Sequence, residues 1–402
     1  MPTKKTRTSP TGTTIPYGRQ DLNVEEIKAV LKVLKSDFLT QGPLVGKFEQ
    51  ALADYCGARY CVVFSSGTAA LHAACHAAGL KAGLHAVTTP MSFVASANCV
   101  LYTGALVKFA DIDPAHAQIT KQTIAPHVDK RTRVIIPVDL AGFPGDVPAI
   151  HAFAQKKGIA VIRDATHSMG AQYRHNGRWM RVGSCRHEDF CCFSFHPVKS
   201  FTTGEGGAVT TNNAAFYRQM ISFRQHGITK DRGVYINRQF ADRSWYYEMQ
   251  ELGYNYRLSD IHCALGITQI KRLDEKIKRR TELVERYRRE LKGTVDFLEH
   301  HDHNARSAHH LLPVLVAPGI RDKLMQRLCA VKINTQLHYI PIYRQPFYQR
   351  CFSFSPKNYP CAEKYFKSAM SIPLFPALTD RQQSFVIRKI KEIVGELLGE
   401  GE

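Results

Sequence analysis

The sequence lacks the features that would place the chain in a membrane or in an oxidising compartment. No run of about 18 apolar residues occurs, so no transmembrane helix is expected. The eleven cysteines are odd in number and scattered, and none forms a CxxC pair. Several fall in apolar runs, where a free cysteine behaves as a small hydrophobe. We therefore expect a cytoplasmic protein with neither a disulfide framework nor a metal site.

Acidic residues are also scarce, with 35 Asp and Glu against 54 Lys and Arg and a formal net charge of +19. Such an excess of positive charge can bind nucleic acid, an anionic membrane surface, or an anionic substrate and cofactor. Much of it lies near the N-terminus and between Lys271 and Lys292, where apolar residues recur at helical spacing. The basic residues there are most simply the solvated face of one long helix. Because no zinc finger, RNA-stacking motif or basic–aromatic repeat occurs, we expect no nucleic-acid partner and no membrane partner.

Internal repeats and low-complexity tracts are missing, and 44% of the residues are hydrophobic, enough for a large core. Residues 1–14 are polar and basic without an apolar segment behind them, which predicts a mobile leader and not a secretion signal. We expect a large domain over residues 15–265, a linking helix over 266–292 and a small C-terminal domain over 293–402. The strand near Ile15–Tyr17 is expected to join the small domain.

Helical patterns and short apolar runs alternate up to residue 211. Asn23 and Glu26 form a capping-box pattern that begins one helix, and a second, Val45–Tyr55, ends at Gly57. Continuous apolar runs joined by crossover segments are typical of a parallel sheet that is covered on both faces. The fold class predicted is therefore α/β. The runs are Cys61–Phe64, Ala86–Thr88, Leu106–Ala110, Val134–Val138, Ile159–Ile162, Phe190–Phe193 and Ala208–Thr210.

Polar residues follow these strands at the edge where open α/β sheets bind their ligands. Ser66, Gly67 and Thr68 come after the first strand and open a helix, an arrangement that offers backbone N–H groups to a phosphate. Asp164 ends another strand and can pair with a protonated pyridine nitrogen. The alternatives, an ordinary Ser/Thr helix cap and an Asp helix cap, are common and stay open.

Lys199 follows a third strand and lies ahead of the Gly206–Gly207 turn. Partial burial there would lower the pKa of its amine, and a neutral amine can attack a carbonyl and form a Schiff base. Three independent strand ends thus supply phosphate donors, a pyridine partner and a Schiff-base lysine. Together they indicate a site for pyridoxal 5'-phosphate (PLP).

Six ordered motifs resemble the DegT/DnrJ/EryC1/StrS family of sugar aminotransferases, and the resemblance runs from Ile15 to about Ile387. It implies the type I, aspartate-aminotransferase-like fold of PLP-dependent transferases. In that fold a large, mostly parallel-sheet domain that binds PLP precedes a smaller α+β C-terminal domain. The motifs occupy residues 39–43, 65–71, 89–96, 164–170, 193–207 and 252–260.

The resemblance implies a role for several residues around the cofactor. Lys199 would hold PLP and move the proton between the substrate carbon and the cofactor carbon. Asp164 would pair with the pyridine nitrogen, and Phe93 would stack on the ring. His167 would lie near the ring hydroxyl, unless it is only a structural histidine. Arg163, where many relatives have an acidic residue, is expected to point away from the cofactor.

The phosphate is implied to lie on Gly67, Thr68 and Ser194 of the same subunit. Asn255 would reach the phosphate of the neighbouring subunit's cofactor, so a homodimer with shared active sites is expected. The resemblance also implies the reaction. Some relatives replace the Schiff-base lysine by histidine and become dehydratases, whereas Lys199 here favours transamination. L-Glutamate would donate the amine, and a nucleotide-linked keto sugar would accept it in a ping-pong sequence.

For the sugar, the chain looks most like the subgroup that makes UDP-4-amino-4,6-dideoxy-N-acetyl-β-L-altrosamine for pseudaminic acid. The implied substrate-binding residues are Tyr17, Thr40, Ser66, His338, Tyr339 and Tyr343. Aromatic side chains suit a uracil and sugar platform, although any one of them can equally belong to a domain-closing core. A UDP-4-keto-pentose for lipid A modification and a dTDP- or UDP-4-keto-6-deoxyhexose remain alternative acceptors. A PLP-binding regulatory protein without turnover is the alternative from another class.

Overall fold

The computed structural model describes residues 13–300 and 303–399. The predicted leader therefore lies almost wholly outside the described residues. Within them the helices are α1 Val24–Leu34, α2 Pro43–Cys56, α3 Gly67–Ala77, α4 Ala95–Leu101, α5 Lys121–Ile124, α6 Val147–Gln155, α7 Ala214–Arg224, α8 Asp260–Ile270, α9 Leu273–Glu290, α10 Arg321–Ala330, α11 Pro346–Cys351, α12 Pro360–Ser368 and α13 Asp380–Gly399. None of these helices combines the length and the apolar character needed to span a membrane.

The strands are β1 Tyr60–Phe64, β2 His85–Thr88, β3 Leu106–Phe109, β4 Thr132–Ile136, β5 Ala160–Asp164, β6 Gln172–His175, β7 Arg178–Arg181, β8 Phe190–Ser194, β9 Gly207–Thr211, β10 Ile228–Thr229, β11 Glu248–Met249, β12 Asp296–Phe297, β13 Ala305–Arg306, β14 Leu312–Leu315 and β15 Ala369–Ile372. The main sheet has the order β3-β2-β4-β5-β8-β9-β1, with β9 antiparallel to both of its neighbours. The other pairs are parallel. All seven predicted apolar runs are strands of this sheet, which confirms the α/β prediction.

Local sequence signals set the first two helices as expected. The Asn23 side chain accepts hydrogen bonds from the Glu25 and Glu26 N–H groups at 2.8 and 3.3 Å. In return the Glu26 carboxylate accepts one from the Asn23 N–H at 2.6 Å, so the predicted capping box is present. Helix α2 ends at Gly57, whose φ of 75° lies in the left-handed region that glycine adopts without a Cβ penalty.

The C-terminal part forms a separate core around the antiparallel sheet β12-β14-β15 and helices α9, α10 and α13. Ile15 is fully buried in this core and forms a parallel bridge to Ile333, so the N-terminal segment packs with the C-terminal part. The segment Ile333–His338 does not form one continuous strand. The Ile333 N–H is bonded to the Leu328 carbonyl of α10, the Asn334 N–H donates to the Ile15 carbonyl, and Gln336 pairs with Ser371 of β15.

The linking segment differs from the single helix that its periodicity predicts. Helix α8 stops at Ile270 and α9 starts at Leu273, with Arg272 between them bonded to Glu26. Two basic residues of α9 are not part of a solvated face. Lys276 is buried and donates to the Gln269 side chain at 2.7 Å. The second, Arg280, is also buried.

Arg280 ties α9 to two other segments through one guanidinium nitrogen. Its Nη1 donates to the carbonyl oxygens of His309, His310 and Leu374 at 3.2, 3.1 and 3.0 Å. The first two of these residues precede β14, and the third follows β15. A buried cation needs such partners, because removing a charge from water is costly unless hydrogen bonds compensate. Helical periodicity therefore identifies α9 but not which of its cations are buried.

Candidate active site

A cavity of about 490 Å³ lies where β1, β5 and β8 end, closed on its other side by residues 336–339. Ten of the predicted site residues line it, which places the predicted cofactor and substrate residues in one space. They are Tyr17, Ser66, Gly67, Thr68, Phe93, Asp164, Ser194, Lys199, His338 and Tyr339. Among the lining residues to which the sequence analysis gave no role are Ser96, Thr166, Glu205 and His310.

The first turn of α3 forms a cradle at one end of the cavity. Ser66 caps the helix, and its Oγ accepts a hydrogen bond from the Ala69 N–H at 3.1 Å. Gly67 packs so closely against β8 that a Cβ there would lie 2.8 Å from the Cβ of Ser194. The chain thus reserves backbone space at a helix N-terminus, where the helix dipole favours an anion. These residues fit the phosphate of PLP.

Asp164 lies at the floor of the cavity, 2% exposed, with its carboxylate held from two sides. Ser96 Oγ donates to Oδ2 at 2.6 Å, and the Thr166 N–H donates to Oδ1 at 3.2 Å. Ser92 Oγ lies 2.7 Å from Ser96 Oγ and extends this chain of hydroxyls. A fixed carboxylate of this kind can accept a hydrogen bond from a protonated pyridine nitrogen. The sequence alone assigns Ser96 no role, although Ser96 lies inside the motif at residues 89–96.

Lys199 lies on a turn in which its N–H is bonded to the His196 carbonyl at 2.9 Å. Burial lowers the pKa of its ammonium to about 8, an effect that the Asp164 carboxylate opposes. No hydrogen-bond or ion-pair partner of Nζ occurs among residues 13–300 and 303–399. The amine is therefore available for covalent chemistry, and a substantial fraction of it is neutral near physiological pH.

Three histidines stand around the lysine in neutral form. Burial lowers the pKa of His167 and of His310 well below the usual value, and it lowers that of His338 to about 3; Lys199 reinforces each shift. His338 Nδ1 lies 2.9 Å from Ser371 Oγ. His310 packs against His167, with ring centroids 4.5 Å apart. In the described part of the chain its buried Nδ1 has no hydrogen-bond partner.

Aromatic side chains form the open side of the cavity. Phe93 is 57% exposed, unusual for a large apolar ring, and its centroid lies 6.4 Å from that of Tyr339. Tyr17 approaches His338 with a centroid distance of 5.4 Å. An exposed ring at the mouth of a polar cavity can stack on a planar ligand. Phe93 thus lines the cavity with an exposed ring, and its stacking on the cofactor stays a prediction.

Tyr343 does not line the cavity, contrary to the sequence-based prediction. Its side chain is buried, its hydroxyl donates to Glu363 at 2.8 Å, and its ring stacks on Tyr359 at 4.6 Å. A short 3₁₀ turn over Ile342–Arg344 directs it into the core. The predicted substrate contact of Tyr343 is therefore wrong. Tyr343 is therefore a core residue, which is the alternative that the sequence leaves open for each of these aromatic side chains.

Three other predicted residues do not line the cavity. His167 is buried behind Tyr339, to which it is bonded. Thr40 and Asn255 are exposed, and neither lines the cavity of Lys199. Their sequence neighbours Gln41 and Arg257 line a second cavity of about 340 Å³. Within one subunit, therefore, Thr40 and Asn255 are separated from the site that they are predicted to serve.

Arg163 is fully buried and is absent from the cavity lining, as expected. Its Nε donates to Asp139 at 2.8 Å, and its Nη1 lies 3.6 Å from Glu188. The side chain therefore pairs with two buried acidic residues. Within the described ranges no cluster of three or more His, Cys, Asp or Glu residues has an arrangement that could hold a metal ion. All eleven cysteines are unpaired.

Comparison with known proteins agrees with this geometry. Residues 20–391 match the DegT/DnrJ/EryC1/StrS aminotransferase family. Over 380 residues the chain is 36% identical to a Campylobacter jejuni protein named UDP-4-amino-4,6-dideoxy-N-acetyl-β-L-altrosamine transaminase, with 92% of this chain and 95% of that one covered. Helicobacter pylori PseC, an aminotransferase involved in the biosynthesis of pseudoaminic acid, matches with a TM-score of 0.88 and 29% identity over 96% of this chain and 100% of PseC. Streptococcus pneumoniae Spr1654 in its PLP form has a TM-score of 0.87 and 26% identity over 96% and 99%.

Proposed function

The chain belongs to the DegT/DnrJ/EryC1/StrS aminotransferase family, and we propose that it transfers an amino group from L-glutamate to C4 of a UDP-linked 4-keto-6-deoxy-N-acetylhexosamine. The names of the Campylobacter jejuni transaminase and of Helicobacter pylori PseC support this acceptor and a place in pseudaminic acid biosynthesis. The observation that carries the proposal is the convergence of Lys199, Asp164 and the α3 cradle on one cavity.

The protein is a PLP-dependent aminotransferase. When bound, PLP supplies an electron sink for the charge left on a substrate carbon that loses its proton. Lys199 would hold PLP through Nζ, and its amine would move the proton at the reacting carbon of the substrate. A pKa of about 8 suits both tasks, because the amine can then accept and return a proton near neutral pH.

The remaining cofactor contacts follow from the cavity wall. We propose that Asp164 accepts a hydrogen bond from the pyridine nitrogen and keeps it protonated. Gly67, Thr68 and Ser194 would bind the phosphate at the start of α3, and Phe93 would cover one face of the ring. Burial of Asp164 beneath Ser96 excludes water from the carboxylate, which strengthens its interaction with a cationic ring.

For the sugar we propose contacts with Tyr17, Ser66, His338 and Tyr339, all on the cavity wall. Thr40 is proposed to act on the substrate of the neighbouring subunit. Apart from Lys199, no described residue that lines the cavity carries an ammonium or a guanidinium group. The two anionic phosphates of a UDP-sugar therefore need cations from outside this subunit's cavity.

A homodimer would supply, from the second subunit, polar and charged groups that the cavity of one subunit lacks. Asn255 is exposed, forms a backbone bridge with Gln225, and lies two residues from Arg257. Helix α1 also presents an apolar face to solvent, and a second copy of the chain would cover it. Its members Val24, Ile27, Leu31 and Leu34 are 58, 54, 50 and 52% exposed. We propose that dimerisation buries this face and brings Asn255 to the cofactor phosphate of the other subunit.

The test measures the two half-reactions separately. Protein loaded with PLP should show a visible absorption band that L-glutamate bleaches, and the UDP-linked keto sugar should restore it. Parallel acceptors are a UDP-4-keto-pentose and a dTDP-4-keto-6-deoxyhexose. Restoration by either of these with higher kcat/KM would overturn the proposed sugar. A band that L-glutamate leaves unchanged would overturn the proposed donor.

A further inference from the structure

Tyr339 and His167 form a hydrogen-bonded pair at the wall of the active-site cavity. Tyr339 Oη lies 3.0 Å from His167 Nε2. Tyr339 lines the cavity, whereas His167 is 3% exposed behind it. Either group can donate in such a contact, because a neutral imidazole has one N–H and one bare nitrogen. The direction of this bond decides whether the tyrosine hydroxyl has a proton left to offer to a ligand.

The second ring nitrogen of His167 determines that direction. The backbone N–H of Ala141 donates to His167 Nδ1 at 3.3 Å. A nitrogen that accepts a hydrogen bond carries no proton, so the proton of a neutral His167 must be on Nε2. The ring is neutral, because burial lowers its pKa and Lys199 adds repulsion. His167 therefore donates, and Tyr339 Oη accepts.

Tyr339 thus retains its own proton for another acceptor. Within the described ranges, Tyr339 Oη has no hydrogen-bond partner except His167. Burial also raises the pKa of the phenol, so the hydroxyl stays protonated at neutral pH. A hydroxyl with a free proton beside a reaction cavity is a ready donor to an oxygen of a bound ligand.

We propose that Tyr339 donates a hydrogen bond to an oxygen acceptor inside the cavity, and that His167 is the positioning residue that fixes its direction. This rests on the proposed function, since the acceptor oxygen belongs either to the sugar or to the ring hydroxyl of PLP. It also changes the role implied for His167. The histidine acts through Tyr339 and does not itself reach the cofactor ring.

The first experiment reads the tautomer directly. Protein with ¹⁵N-labelled histidine, loaded with PLP, is compared with a labelled His167→Gln sample to identify the His167 resonances. We expect an unprotonated Nδ1 and a protonated Nε2. A protonated Nδ1 would overturn the inference. This result does not depend on which sugar or amino donor the enzyme uses, so it separates failure here from failure of the proposed function.

The second experiment removes the donor while keeping the ring. Tyr339→Phe should slow one half-reaction by about 10- to 30-fold, as expected for loss of one hydrogen bond to a developing charge. If the acceptor is the PLP oxygen, the visible band and its pH dependence shift before any substrate is added. If the acceptor is the sugar, the spectrum stays as in the wild type and only the second half-reaction slows. If Tyr339→Phe changed neither the visible spectrum nor the rate of either half-reaction, the proposal would be contradicted.

The third comparison isolates the positioning role of His167. A glutamine can still donate from about the position of Nε2, whereas a leucine cannot. We expect His167→Gln to stay within about threefold of wild-type kcat and His167→Leu to match Tyr339→Phe. The double variant His167→Leu/Tyr339→Phe should be no slower than either single variant, because both remove the same interaction. Wild-type kinetics in a folded His167→Leu protein would overturn the role. If that variant does not fold, the glutamine variant and the tautomer measurement decide.

Discussion

Ser96 Oγ donates a 2.6 Å hydrogen bond to Oδ2 of Asp164, across a sequence separation of 68 residues. The contact is fully buried, so water cannot replace it when it is lost. It orients a carboxylate that faces the cavity, and it thereby links helix α4 to the end of β5.

Replacing Ser96 by alanine should weaken cofactor binding. A buried hydrogen bond to a charged group is worth about 1.5–3 kcal/mol, which corresponds to roughly 10- to 100-fold in Kd for PLP. Ser92→Ala is the matched control, since Ser92 touches Ser96 and not Asp164. Equilibrium titration of the apoprotein with PLP measures both. An equal loss in the two variants would contradict the direct role of Ser96.

Gly67→Ala should impair phosphate binding through steric crowding. Its new Cβ would lie 2.8 Å from Ser194 Cβ, closer than carbon atoms pack, so the first turn of α3 must move. We expect at least about a tenfold loss in PLP affinity. In the control Gly46→Ala, on α2, nothing lies within 4 Å of the added atom. That variant should bind PLP as the wild type does. Normal PLP binding by Gly67→Ala would refute the cradle.

Lys199 should make the stability of the apoprotein depend on pH. Its folded-state pKa of about 8 is below the ordinary value for lysine, so between these values the unfolded chain binds more protons than the folded one. Burying the charged amine therefore lowers the free energy of unfolding by its full amount below about pH 8. This destabilisation disappears as the pH rises toward the ordinary pKa of lysine. Lys199→Met should stabilise the apoprotein at pH 7 and much less at pH 10. Urea denaturation at a series of pH values checks this; a stability difference that is constant across the series would count against it.

Mixed dimers test whether the active sites are shared. Lys199→Ala and Asn255→Ala subunits should each be poorly active alone. In a mixed dimer, one site combines both changes and the other has neither, so activity should return when the two variants are refolded together. With random association, half of the dimers are mixed and each has one intact site, which gives about a quarter of wild-type activity. Activity no higher than that of the separate variants would show that Asn255 serves its own subunit.

The main sheet could be predicted because its strands are buried on both faces and appear as continuous apolar runs. The start of α1 could be predicted because Asn23 and Glu26 are close in sequence. Asp164 and Lys199 could be predicted to lie close together because they follow strands whose carboxyl ends meet at one edge of the sheet. Both residues line the same cavity.

Residues whose role depends on distant partners were missed or misassigned. Nothing near His310 in the sequence indicates the cavity that it lines, and the motif around Ser96 does not show that its hydroxyl meets Asp164. Tyr343 was assigned to the substrate because an aromatic residue suits a binding wall and a core equally well. Arg280 is predicted to be solvent-exposed because it lies among the basic residues of an amphipathic helix. Helical periodicity does not show the backbone carbonyl groups of other segments that accept hydrogen bonds from it.

The three carbonyl bonds of Arg280 also set a rule for protein engineering. The segment 336–339, which lines one side of the cavity, lies in the same C-terminal part of the chain as the Leu374 carbonyl that Arg280 holds. Exchanging that part with a relative's to alter sugar preference would cut through these bonds unless α9 is transplanted with it. The practical unit of exchange therefore starts at Leu273 and not at the apparent domain boundary after α9.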